Sequence, residues 1–142
     1  MGIRKQEFYE GAAIYSLLRA SGQLKIAYRA PFFVLSESRS VYLKYSTAKR
    51  SPWAFTFAPG EQAALQAESE SHQVAIALIC GAEGVVCLPY SDYQLVAAQR
   101  FTSVRVACRR LHGRHFTVLG PDGELTRKIP SSDWPNLLRE GV

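Results

Sequence analysis

Cysteine is scarce, methionine occurs once, and long apolar runs are absent from this 142-residue chain. Cys80, Cys87 and Cys108 are odd in number and stand in apolar, strand-like contexts. They are expected to be free, buried thiols in a reducing compartment, which argues against a disulfide-stapled scaffold. Cys80 and Cys87 are close enough in sequence to face each other across a hairpin. His72, His112 and His115 have no ligand spacing with them, so a structural zinc site is not expected. The longest apolar run, Val74 to Cys80, falls far short of the roughly 20 residues of a membrane helix. No membrane partner is expected. Met1-Gly2-Ile3-Arg4-Lys5-Gln6-Glu7 has no apolar segment behind its basic residues, unlike a secretory signal. Gln6 stands where a myristoylation site wants Ser or Thr. The expected setting is cytoplasmic. There is no Gly-x-Ser-x-Gly elbow for a hydrolase triad. Gly81-Ala82-Glu83-Gly84 lacks the spacing of a phosphate loop.

Positive charge is missing from the middle. Residues 58–98 carry five acids and no lysine or arginine. Residues 1–57 carry nine Lys/Arg against three acids, and residues 99–142 carry eight against four, for a net charge of +5. Two basic ends around an acidic middle suit a protein with one basic face, the footprint of a polyanion binder. A merely basic soluble domain would show the same total.

The rest of the chain is organised around Val41 to Ser46 and Ser51 to Phe57. Val41, Leu43 and Tyr45 alternate with Tyr42, Lys44 and Ser46, which predicts a strand with one apolar face and one face carrying Lys44. Thr47 to Pro52 is a basic loop containing Lys49 and Arg50. Trp53, Phe55 and Phe57 then line one face of another strand, as core or as a base-stacking stripe. Upstream, Ile3 to Ala20 reads as a helix stopped at Ser21-Gly22, with Ile14, Leu17 and Leu18 as its apolar stripe. Glu7 and Glu10 fall on the same stripe. They either complement the helix dipole or face a cleft. Leu24 to Tyr28 and Phe32 to Leu35 read as strands, and Glu61 to Glu70 as a helix opened by Pro59-Gly60. Gln73 to Cys80 has the pattern of a central strand, with Val85 to Leu88 returning beside it. Tyr90 to Ala98 reads as a short helix with Ser91 as candidate cap. Val104, Val106 and Cys108 alternate with Arg105, Ala107 and Arg109, a half-buried strand with arginines outward, and Arg110 and Arg114 continue the basic run. Gly120-Pro121-Asp122-Gly123 marks a C-terminal hairpin, and Trp134 anchors a closing helix. The expected fold is a single α/β (α+β) domain over residues 1–142, with a mixed sheet. Its core is residues 1–80, and residues 81–142 form a C-terminal elaboration.

The order helix, strand, strand, strand, helix, strand resembles the core of the restriction-endonuclease-like PD-(D/E)xK superfamily. In that family the first helix often supplies a glutamate, the second strand an acid, and the third an acid, one residue and a lysine. Carboxylates hold Mg²⁺, and the metal and lysine activate water. Glu10 resembles the helix glutamate and Lys44 the motif lysine. Tyr42 occupies the place of the motif acid, and Phe32 to Leu35 contains no acid; the nearest is Glu37. The chain is also similar to small bacterial proteins sharing the Tyr-Leu-Lys-Tyr-Ser, Ser-Pro-Trp and Lys-Ile-Pro patterns, a resemblance that implies a bacterial setting and no activity.

Three functions follow as expectations. The first is a nuclease-like fold that binds nucleic acid through Lys44, Lys49, Arg50, Arg105, Arg109, Arg110 and Arg114, its metal site largely lost. The second is an active Mg²⁺-dependent nuclease, with Glu10 and Glu37 as metal ligands and Glu10 and Lys44 as catalytic residues. The third is a protein-interaction module or homodimer, joined by the acidic middle and a basic flank.

Overall fold

The computed structural model describes residues 2–21, 24–36, 38–111 and 114–139, with only the backbone of Ser21 and Arg139. In chain order the elements are α1 (Lys5–Ser21), β1 (Ile26–Arg29), β2 (Phe32–Leu35), β3 (Arg39–Ser46), β4 (Trp53–Phe57), α2 (Pro59–Ser69) and β5 (Gln73–Cys80). They continue with β6 (Gly84–Pro89), α3 (Tyr90–Val96), β7 (Val104–Arg109), β8 (Thr117–Gly120), β9 (Gly123–Glu124) and α4 (Asp133–Arg139). The described residues form one mixed α/β fold of two sheets and four helices. No described helix is long and apolar enough to cross a membrane.

The first sheet has the order β1-β2-β3-β5-β6. Its centre is the parallel pair β3·β5, in register from Arg39↔Gln73 to Ser46↔Cys80, and α2 lies in the connection that parallel pairing requires. The other neighbours are antiparallel. The second sheet has the order β4-β7-β8-β9, all antiparallel. The sheets do not divide at residue 80. Four strands, not the three of the expected order, stand between α1 and α2: β4 leaves the first half of the chain to join the second sheet, and β6 returns from the second half to flank β5. The C-terminal hairpin is present, but its return strand is only Gly123–Glu124, followed by a single bridge from Phe116 to Ile129.

Two apolar cores lie on opposite faces of the first sheet. Between the sheets, Tyr42, Ile76 and Leu78 meet Trp53, Phe55, Phe57, Val106 and Phe116. The aromatic face of β4 is therefore core. On the other face, Val41, Leu43, Ala75 and Ala77 meet Ala13 and Leu17 of α1 and Trp134 and Leu138 of α4. Because β3 is covered on both sides, Tyr42 is buried along with Val41 and Leu43, and the expected polar face is an interior one.

Three local expectations are corrected. The buried stripe of α1 runs through Ala13 and Leu17, with Tyr9 partly buried, so Leu18 and Glu7 turn outward. The helical phase is set by where small Ala13 fits the sheet, which apolar counting does not reveal. Cys80 and Cys87 occupy opposite faces of the sheet, since Cys80 pairs with Gly84 and Cys87 with Ala77. All three cysteines are free and buried; Cys80 neighbours Cys108 instead, and burial pushes the Cys87 thiol up to about 12. The N-cap of α3 is Pro89, without a side-chain cap bond, so Ser91 does not serve.

Candidate functional site

Lys44 lies on the inter-sheet face of β3, beyond the last residue that β2 pairs. Its ammonium donates to the Thr56 carbonyl at 2.6 Å and to Glu61 Oε2 at 2.6 Å, and sits 4.8 Å from the Phe57 ring centroid. The Tyr42 hydroxyl donates to the same Oε2, while Oε1 accepts the Ala58 N–H at 2.9 Å and so caps α2. The pair is mostly shielded, with 19% of the Lys44 and 27% of the Glu61 side chain exposed. Burial alone would push the Glu61 carboxyl up, but the hydrogen bonds from Lys44, Tyr42 and Ala58 hold it below the usual carboxylate range. Tyr42 is pushed well up, first by burial and then by Glu61.

Glu10 is half-buried and accepts a hydrogen bond from Gln6 at 3.0 Å. Burial raises its carboxyl above the usual range, and its charge adds to the upward push on Tyr42. Among the described residues no hydrogen bond or ion pair joins Glu10 to Lys44. Glu37 and His112 lie outside the described residues. No group of three or more His, Cys, Asp or Glu that could hold a metal ion occurs among the described residues. A hard cation needs several free oxygens, and both oxygens of Glu61 are already engaged. The described donor set does not fit Mg²⁺.

The remaining predicted cations gather elsewhere. On β7, Val104, Val106 and Cys108 are buried, so Arg105 and Arg109 project from the outer side of the second sheet. At the Arg109 end, a hollow of about 750 Å³ is lined by Ser51, Arg109, Arg110, Leu111, Arg114, His115, Thr117, Glu124 and Lys128. Four of these are permanent cations and one is an acid. Arg110 is the keystone. Its N–H donates to Ser51 Oγ at 3.0 Å, its Nε to the Arg114 carbonyl at 2.6 Å, and its guanidinium lies 4.8 Å from the Phe116 ring centroid. These contacts bring the loop carrying Lys49 and Arg50 beside the end of β7. Glu124 accepts from Arg109 at 2.9 Å and lies 3.5 Å from Lys128. Lys49, Arg50, Arg105 and Arg114 have no ion pair among the described residues.

The seven predicted phosphate contacts thus divide. Arg109, Arg110 and Arg114 line one hollow, Lys49 and Arg50 stand in the loop whose Ser51 reaches it, Arg105 continues the row along β7, and Lys44 is turned inward. Sequence reasoning missed Glu61 and Lys128. Glu61 had one local signal, its place two residues after Pro59 at a helix start, but Ala58 supplies no cap side chain to complete the familiar box. Lys128 had none, since only the Phe116–Ile129 bridge carries it to the hollow. Comparison with family models, curated proteins and solved structures finds no match to this chain.

Proposed function

We propose that this chain is a nucleic-acid-binding module built on a nuclease-like first sheet whose cleavage site is largely lost. The observation that carries the reading is the hollow between Ser51, β7 and Lys128, where Arg109, Arg110, Arg114 and Lys128 gather, with Glu124 beside Arg109 and Lys128 and Glu83 3.9 Å from Arg110. Clustered cations beside open space give affinity for phosphates with little base preference. Support for the nuclease-like ancestry is the run α1-β1-β2-β3, then α2-β5, in the first sheet, with β4 diverted to the second. Support for lost cleavage is the engagement of Lys44 by Glu61.

The test is fluorescence anisotropy with labelled single- and double-stranded DNA and RNA, at 50 and 200 mM salt, with Mg²⁺, Mn²⁺ or EDTA. About four phosphate contacts should weaken binding about 50-fold for single strands and about 150-fold for duplex DNA over that salt range, and Arg109→Ala/Arg114→Ala should reduce the log–log slope by about 1.4–1.8. Affinity that ignores salt would sink the reading. Metal-dependent cleavage that disappears in Lys44→Ala would favour the nuclease instead.

A homodimer is the second reading, favoured by Phe8 and Tyr15 projecting from the outer side of α1. Complementary charge supports it less. Glu61 and Glu68 of the acidic middle turn onto Lys44 and Arg29 rather than toward a partner. Sedimentation velocity showing a monomer at every practical concentration would remove it.

A further inference from the structure

Beyond the first hollow, the outer side of the second sheet holds another. It measures about 360 Å³, and Arg100, Thr102, Arg105, Ala107 and Leu119 are among the residues that line it. The two hollows follow one another on successive same-face cross-strand pairs: Ala107↔Leu119 lines this one, and Arg109↔Thr117 lines the other. Both open on the outer side of β7 and β8. Arg105 to Arg109 spans about 13 Å at 3.3 Å per strand residue, and the hollows extend past both residues. The floor is small or apolar, from Ala107, Leu119 and Thr117, and half-buried. Helices α2 and α3 bury Leu65, Tyr93 and Val96 in the inter-sheet core, on the inner side, so they leave this floor open.

Next to the second hollow in sequence, but outside its lining, stands one side chain with no packing reason to be aromatic. Phe101, between Arg100 and Thr102, is 100% exposed. Leu111 stands 71% exposed at the far hollow. Arg100 does not shield Phe101, because its guanidinium is spent on both oxygens of Asp122 at 2.5 Å.

We infer that this outer face takes single-stranded nucleic acid, with Phe101 stacking on an unpaired base, Arg105 contacting the backbone, and Arg109 exchanging its Glu124 partner for a phosphate. The inference rests on the nucleic-acid reading above and narrows it. A duplex presents its phosphates outward and keeps its bases stacked inside, so it would leave Phe101 and the apolar floor without partners. A single strand offers both a charged backbone and open base faces, and an aromatic platform beside a basic groove matches that combination. Two sources share this chemistry, DNA and RNA.

The probes are fluorescein-labelled 20-nucleotide DNA and RNA single strands of mixed sequence and the 20-base-pair DNA duplex. Single strands should bind at least 10-fold more tightly than the duplex. Phe101→Ala should weaken single-strand binding about 5- to 150-fold, the range for one lost stacking partner. It should leave duplex affinity and the salt slope unchanged. Phe101 touches no core, so the variant's circular dichroism should match the parent. In Phe101→Trp, the added indole should be quenched on titration with the unlabelled DNA strand. A Phe101→Ala variant that binds single strands like the parent, or duplex binding equal to single-strand binding, would overturn the inference and leave the broader reading standing. Absence of binding to all three probes would overturn both. Tighter binding of RNA or of DNA would name the source.

Discussion

Lys44 shows how one side chain's role is set by the residue it meets. Its ammonium links Glu61 on α2 to the Thr56 carbonyl of β4 and thereby joins the two sheets. Lys44→Met should leave Glu61 with Tyr42 and Ala58 alone and cost about 1–3 kcal/mol at pH 7, as urea unfolding would measure. The same interactions define an acid dependence. Glu61 and Glu68 titrate below their ordinary 4.5 in the folded chain. At Glu68, burial opposes this, but the hydrogen bonds from Ser40 and Arg29 outweigh it. A carboxyl lowered on folding contributes stability fully above the unfolded value, and that stability is lost as pH falls through the folded one. Wild-type stability should therefore decline below about pH 4.5. The gap to Lys44→Met should narrow over the same interval, since a protonated Glu61 no longer needs the lysine. A constant gap from pH 7 to pH 3 would show that Lys44 acts through packing alone.

Among the elements, the turn after β5 leaves no room for a side chain. Gly81 has φ +54°, and an added Cβ would fall 2.6 Å from the Ala48 carbonyl oxygen, which already accepts the Trp53 indole N–H at 2.9 Å. Gly81→Ala should cost about 2 kcal/mol or more in urea unfolding. Gly60→Ala, in open space within α2, should be neutral or gain up to about 1 kcal/mol. Elements of this kind were largely legible. The alternations at Trp53-Phe55-Phe57 and Val104-Val106-Cys108 marked strands, Gln73–Cys80 marked a central one, and Gly120 to Gly123 marked the hairpin. What was not legible was partnership across distance. Nothing local tells β4 to leave β3 for β7, or Tyr42 to bury its hydroxyl on a glutamate nineteen residues away. The basic end was foreseen as residues and not as a hollow, because its shape depends on Arg110 reaching back to Ser51. Among the described residues the acid that meets Lys44 is Glu61, which lies on α2 and not on α1 with Glu10.

At the scale of the molecule, the two tryptophans report on the two cores. Trp53 lies between the sheets, and Trp134 lies on the far side of the first sheet, where its indole N–H donates to the Ala13 carbonyl at 3.0 Å. If both cores belong to one cooperative unit, Trp53 fluorescence in Trp134→Phe and Trp134 fluorescence in Trp53→Phe should each follow far-UV circular dichroism through a single urea transition. Fluorescence melting before the dichroism in either variant would mean that one core opens alone. The charge distribution has the same whole-chain logic. Two basic segments far apart in sequence become neighbours because the second sheet is assembled from both halves.

That assembly has a consequence for synthesis on the ribosome. β4 ends at Phe57, and its strand partner among the described residues, β7, begins at Val104. At about 5–20 residues per second, the intervening segment takes several seconds to emerge. Throughout that delay Trp53, Phe55 and Phe57 form an aromatic strand with a bare edge on a nascent chain, covered at most by α2 and the first sheet as these arrive. The interval before Val104 leaves the exit tunnel is the period in which this protein most needs a chaperone.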